Sequence, residues 1–187
     1  MTEEFPGNQG SKEGEQIKSE TLVGLKECVD QTFVSEKIHI FEDQVRKFVE
    51  AVGDIHPIHY NAERSDESAI ANSAEGSIIV PGFLTVSLLT NAETLYKAIT
   101  IDEPHELINI GFKSLSLTEP VYVGQDIIYE FRIKKVLDTP INERPAMVVE
   151  WDVSAYKLVG EEKVECLRAF WKVGYVSLPK NSTQSAL

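Results

Sequence analysis

The stretch from Gly82 to about Ile99 carries apolar side chains on nearly every side of a helix: Phe83, Val86, Leu88, Leu89, Ala92, Leu95 and Tyr96. A surface helix keeps one polar face toward water, so a helix that is apolar all round belongs inside the protein. The remainder of the chain must then surround it.

The second half supplies segments suited to that wrapping. Leu107–Thr118 reads as a strand ending at Glu119-Pro120, and Tyr122–Gly124 as a turn. Gln125–Leu137 alternates with period two, placing Ile127, Tyr129, Phe131 and Ile133 on one face. Asp138–Pro145 is a proline-containing loop, followed by strands over Ala146–Leu158 and Lys163–Val176 with Gly160 between them. Upstream, Gln31–Ile40 has the partial alternation of a first strand. Glu42–Val52 then changes period, with Val45, Phe48, Val49 and Val52 at spacings of three and four on one helical face. Gly53 follows as its C-cap, and Asn61 is placed to cap a short helix running to Ala71. The simplest assembly is an α+β domain in which one long buried helix is surrounded by a curved antiparallel sheet.

A chain of 187 residues provides about one domain. Residues 1–31 have few apolar positions and read as a flexible acidic N-terminal tail, 32–178 as the folded domain, and 179–187 as a C-terminal tail. Eighteen Lys and Arg against thirty Asp and Glu leave a net charge of −12, which opposes binding to nucleic acid. No apolar run approaches the ~20 residues of a membrane span. Cys28 and Cys166 are too few for a disulfide framework and are expected as free thiols in a reducing compartment. The opening residues MTEEFPGNQGSKEGEQ are unlike a secretory leader, so the expected location is the cytoplasm.

Chemistry concentrates in Val52-Gly53-Asp54-Ile55-His56-Pro57-Ile58-His59-Tyr60-Asn61, where Asp54, His56 and His59 fall within six positions between a helix and a loop. An aspartate there also serves as an ordinary turn residue, and a histidine as a hydrogen-bonded loop residue. Two histidines and a carboxylate are a conceivable divalent-metal set. No cysteine or fourth ligand adjoins them, however, and His39 and His105 fall in other elements, so no metal is expected.

This segment resembles the signature of the MaoC-like hydratase/dehydratase family, which includes (R)-specific enoyl-CoA hydratases. That signature runs Gly, Asp, any residue, Asn, Pro, aliphatic, His; Gly53, Asp54, Pro57, Ile58 and His59 match it. The likeness continues in order through Ile79-Val80-Pro81-Gly82-Phe83-Leu84, Gly111-Phe112 and Glu119-Pro120-Val121-Tyr122-Val123-Gly124-Gln125, covering about residues 32–177. The resemblance implies a hot-dog fold, a homodimer with sites near the subunit interface, and a thioester substrate carried by CoA or an acyl carrier protein. It implies Asp54 and His59 as the catalytic pair, Gly82 as the backbone donor to the thioester carbonyl, and His56, Pro81 and Phe83 as substrate-binding neighbours. No cofactor is implied. One departure stands out: the family's usual Asn is His56 here, an imidazole in place of a neutral amide.

Those residue types suit the addition of water to a trans-2-enoyl thioester, or its removal from an (R)-3-hydroxyacyl thioester. Asp and His can hold the water and move its protons. The N–H groups at a helix start suit the negative charge that develops on the carbonyl oxygen. Two alternatives use the same frame: an acyl thioesterase, or a non-catalytic acyl-thioester-binding subunit of a heterodimer.

Overall fold

The structure is a computed structural model and describes residues 15–60, 78–91 and 94–179. The helix expected from Asn61 to Ala71 lies outside the described residues, as do residues 1–14 and all of the C-terminal tail beyond Pro179.

A long antiparallel sheet forms from β5 (His105–Leu117), β6 (Asp126–Asp138), β7 (Ala146–Val159) and β8 (Glu162–Ser177). Two short strands, β2 (Thr32–Val34) and β3 (Ile38–His39), pair with β6 at the opposite side from β5. The spatial order is β2-β6-β7-β8-β5. Alternation in β6 does what its pattern requires: Ile127, Tyr129, Phe131 and Ile133 are all fully buried. In register beside them stand Trp151, Val153 and Ala155 of β7, then Leu167, Ala169 and Trp171 of β8, which together make the inner face. Register shifts in the β5–β8, β6–β7 and β7–β8 pairings mark bulges, which bend strands and increase their twist.

The buried segment after Gly82 covers that face, but as a broken helix. α2 (Gly82–Ser87) tightens into a 3-10 turn at Leu88–Thr90, and α3 (Leu95–Ala98) resumes before β4 (Ile99–Ile101). The apolar pattern was continuous; Thr94 is what interrupts it. Its hydroxyl lies 2.8 Å from the carbonyl oxygens of both Leu88 and Leu89 and 2.9 Å from that of Asn91. A side-chain donor thus competes with backbone N–H groups for the carbonyls that would carry the helix onward. Leu84, Leu88, Leu89, Leu95 and Ala98 are buried all the same. The hydroxyl of Tyr129 donates to the carbonyl of Thr85 at 2.6 Å, joining sheet to helix.

The N-terminal expectation requires correction. Residues from Ile17 onward are folded: β1 (Ile17–Ser19) pairs in parallel with β4, and a 3-10 helix spans Val23–Cys28. Ile17, Leu22, Leu25 and Cys28 are all buried. The apolar residues are few, but each is used, and burying such side chains contributes about 1.5–3 kcal/mol apiece. Glu103 accepts the N–H of Leu22 at 2.9 Å, and Ile133 accepts that of Asp30 at 2.8 Å. The folded unit therefore begins well before residue 32.

α1 (Glu42–Val52) has the expected limits, with Val45 and Val49 buried, Phe48 against the core and Val52 exposed. Among the described residues no helix is long and apolar enough to cross a membrane.

Candidate active site

The site begins where α1 stops. Gly53 takes the left-handed conformation (φ 71°), which glycine adopts without the steric penalty other residues meet. Its N–H and that of Asp54 both return to the carbonyl of Val49, so the chain turns sharply just before the carboxylate. Asp54 Oδ1 then accepts the N–H of His56 at 3.2 Å, a side-chain turn of the kind aspartate favours. Next, His56 Nδ1 accepts the N–H of Ile58 at 3.5 Å and caps the 3-10 turn Pro57–His59, with Pro57 at its first position. The Tyr60 hydroxyl donates to the carbonyl of Ile55. The loop is thus braced by its own side chains, and its product is the inward aim of His59.

His59 is buried, and its Nδ1 lies 2.7 Å from the carbonyl oxygen of Ile79. A carbonyl only accepts, so Nδ1 carries the proton; in the neutral ring Nε2 is then a lone pair. That nitrogen stands 3.5 Å from Asp54 Oδ2. Two acceptors at this separation do not bond each other; a shared proton, or a donor with two O–H groups such as water, joins them. The Asp54 side chain is 39% exposed against 11% for His59, so the pair opens to solvent on the carboxylate side.

Ile79 is itself held on three sides. Its N–H donates to Ile58 at 3.0 Å, Val80 donates to Val121 at 2.8 Å, and Val123 donates to Ile78 at 3.0 Å. The short ladder of 78–80 against 121–123 therefore sets the carbonyl that fixes the tautomer of His59.

Three residues beyond Ile79, a reach of at most ~11 Å, Gly82 opens α2. Buried Pro81 precedes it, and the Pro81 carbonyl accepts the N–H groups of Leu84 and Thr85. The N–H groups of Gly82 and Phe83 meet no acceptor among the described residues, as the start of a helix leaves them. Leu117, at the end of β5, occupies the place a side chain on Gly82 would take. The glycine is there for space, since its φ is not among the positive values.

The sequence-derived residues thus divide. Asp54 and His59 are brought together directly, and Pro81 and Gly82 follow the stretch whose Ile79 carbonyl orients His59. The Phe83 side chain faces solvent at 68% exposure, and the exposed His56 is engaged by its own loop. Among the described residues no group of three or more His, Cys, Asp and Glu side chains is arranged to hold a metal ion. Of the other histidines, His39 pairs with Asp126 at 2.7 Å and His105 lies 2.8 Å from the Glu103 carbonyl. Ile79 and Leu117 were not singled out as site residues from sequence. Their contributions are a carbonyl and a methyl group, which no side-chain chemistry announces.

Residues 28–152 match the family described as FAS1-like, dehydratase domain region. None of the curated proteins matches the sequence. Among solved structures, the monoamine oxidase regulatory protein of Archaeoglobus fulgidus superposes with a TM-score of 0.65 at 15% identity, covering 87% of this chain and 97% of that one. The MaoC-like dehydratase of Rhodospirillum rubrum gives 0.59 at 20% identity (81% and 94%). The (R)-hydratase PhaJ1 of Pseudomonas aeruginosa gives 0.59 at 20% identity (92% and 100%). At these identities the structures establish the hot-dog fold, as expected from the motifs. The family match spans most of the chain and includes the Asp54–His59 loop, the start of α2 and strand β6, so this protein belongs to the FAS1-like dehydratase-region family, within the MaoC-like hydratases and dehydratases.

Proposed function

We propose that the chain is a hydro-lyase interconverting trans-2-enoyl and (R)-3-hydroxyacyl thioesters of CoA or an acyl carrier protein, acting in the cytoplasm as a homodimer. The observation that carries this reading is the facing pair Asp54 Oδ2 and His59 Nε2, 3.5 Å apart, with the imidazole tautomer set by Ile79. A water molecule donating one O–H to each acceptor would be held and deprotonated there. In hydration its oxygen bonds to C3 of the enoyl group while the C2–C3 π pair moves toward the thioester oxygen. The proton taken from water is returned to C2. Dehydration is the same path reversed.

General acid–base participation of this kind is worth about 10²–10⁴-fold in rate. The thioester oxygen gains negative charge as C3 is attacked, and the N–H of Gly82 supplies a donor for it. One such preorganised donor contributes about 3 kcal/mol. The (R) configuration rests on family resemblance and on the neighbour named an (R)-hydratase, not on any distance in this site.

Support for a second copy comes from β5. Among the described residues this 13-residue strand pairs only with β8, leaving one row of backbone groups at a sheet edge, with Ile110 and Leu117 exposed along it. Analytical ultracentrifugation of the wild type and Ile110→Lys tests this: a dimer that dissociates in the variant is expected, and a monomeric wild type refutes it.

Loss of the enoyl absorbance of crotonyl-CoA and of a longer trans-2-enoyl-CoA, compared between wild type and Asp54→Asn, tests the activity. Turnover in the wild type only is the expected result. Equal rates in both proteins, or free thiol released from saturated acyl-CoA in place of hydration, would overturn it. Thioester binding without turnover would mark a non-catalytic subunit.

A further inference from the structure

Lys157 is a charged residue on the buried side of the sheet. It lies on β7 in register with the fully buried Ile127 of β6, and its side chain is only 9% exposed. An ammonium group is costly to withdraw from water unless it is well partnered. Here Nζ donates to the carbonyl of Pro120 at 2.8 Å, sits 3.6 Å from Glu119 Oε2, and lies 5.9 Å from the centre of the Tyr122 ring. All three partners belong to one stretch, 119–122, which follows the end of β5. That stretch continues into the ladder described above: Val121 accepts from Val80, Val123 donates to Ile78, and Ile79 bridges to Tyr122. On its far side the same segment is anchored by Gln125, whose side-chain oxygen accepts the N–H of Tyr122 at 3.0 Å.

We infer that Lys157 is a positioning residue for His59. By clamping Pro120 it holds the 121–123 segment against 78–80, and so fixes the Ile79 carbonyl that keeps the imidazole as its Nδ1–H tautomer with Nε2 facing Asp54. The links are the hydrogen bonds Lys157–Pro120, Val80–Val121, Val123–Ile78 and His59–Ile79, and none of them joins Lys157 directly to Asp54 or His59. A hydrophobic residue would fill the same volume under Tyr122 more cheaply. The ammonium group has a specific use in this position: Pro120 lies beyond the strand end, and Lys157 supplies the donor to its partly buried carbonyl.

The catalytic part of this inference rests on the proposed hydro-lyase reading, whereas the tautomer does not, and the test separates them. Lys157→Met keeps length and packing but loses the donor; Lys157→Arg keeps a charged donor. In protein labelled with ¹⁵N-histidine, with the His59 signals identified by comparison with His59→Gln, long-range ¹H–¹⁵N spectra report the tautomer. The expected result is an Nδ1–H imidazole in wild type and Lys157→Arg, and a mixture of tautomers in Lys157→Met. With crotonyl-CoA, kcat of Lys157→Met is expected to fall about tenfold, the scale of a small displacement of a catalytic group, with KM within about twofold. A Lys157→Met protein that melts earlier but keeps the wild-type His59 spectrum and kcat would overturn the inference, leaving Lys157 as core support alone. Absence of hydration in the wild type, with the tautomer shift still seen in Lys157→Met, would refute the proposed reaction while upholding the positioning. Should Lys157→Met fail to fold, Lys157→Leu, which also lacks a donor, is read in the same way. If neither folds, Lys157 is a stability residue and the inference falls.

Discussion

The imidazole of His59 donates an Nδ1–H hydrogen bond to the carbonyl of Ile79 across 2.7 Å, so the nitrogen that faces Asp54 is the one carrying the lone pair. Glutamine at position 59 can keep one hydrogen bond but cannot take up a proton at neutral pH. His59→Gln is therefore expected to lower kcat for enoyl-thioester hydration by at least about 100-fold, with a melting temperature within a few degrees of wild type. Steady-state kinetics beside a thermal melt check both halves.

At position 56 the imidazole performs a local task within its own loop. His56 Nδ1 accepts the Ile58 N–H, a capping task that asparagine performs at least as well. His56→Asn should thus retain the fold and activity, whereas His56→Ala should lose about 1 kcal/mol, the usual worth of an N-cap. Urea denaturation of the two variants distinguishes them.

Leu117 fills the space beside Gly82, but it is half-exposed and its end can rotate away. Gly82→Ala is accordingly expected to fold, while a methyl group at the helix start obstructs the approach of a thioester to the N–H. A loss of about tenfold or more in kcat/KM, without a matching loss of stability, is the expected pattern.

Tyr129 tests the join between sheet and helix. Its ring is fully buried and its hydroxyl ends on Thr85, so Tyr129→Phe removes the bond while preserving the ring. The cost should be about 1–3 kcal/mol, read as a lower urea midpoint at unchanged slope.

Cys166 gives the alkaline prediction. Burial pushes its thiol up to about 11, against a smaller opposing pull that includes Lys157. The folded state therefore holds this proton more tightly than the unfolded chain. Its stabilisation is complete below the ordinary thiol range and is lost as pH rises from about 9 toward 11. Burial shifts Tyr129, Tyr156 and Tyr175 in the same direction, so Cys166→Ala should reduce, not abolish, the alkaline fall in urea midpoint between pH 8 and 10.

Much of this architecture is legible in the sequence because its signals are local and periodic. Ile127 through Ile133 alternate, Val45 and Val49 share a helical face, and Gly53 ends α1 at its expected position. The Asp54–His59 pair is legible for a related reason: both residues sit in one short loop whose turn chemistry is its own. What escapes is set by single contacts that no periodicity announces. Thr94 breaks a continuous apolar helix through one hydroxyl, which composition registers as an unremarkable position. Residues 17–30 look too polar to fold because their cover, including Ile99 and Ile133, lies far along the chain.

The parallel pairing of Ile17–Ser19 with Ile99–Ile101 also orders events during synthesis. β1 is made ahead of its partner, which follows only after α1, the Asp54–His59 loop and the broken helix have all emerged. Contacts so distant in sequence form late because the intervening chain must be closed into a loop. β1 therefore docks only once that whole stretch has been made, yet its partner β4 still precedes β6 and β8, the partners on which β2, β3 and β5 depend.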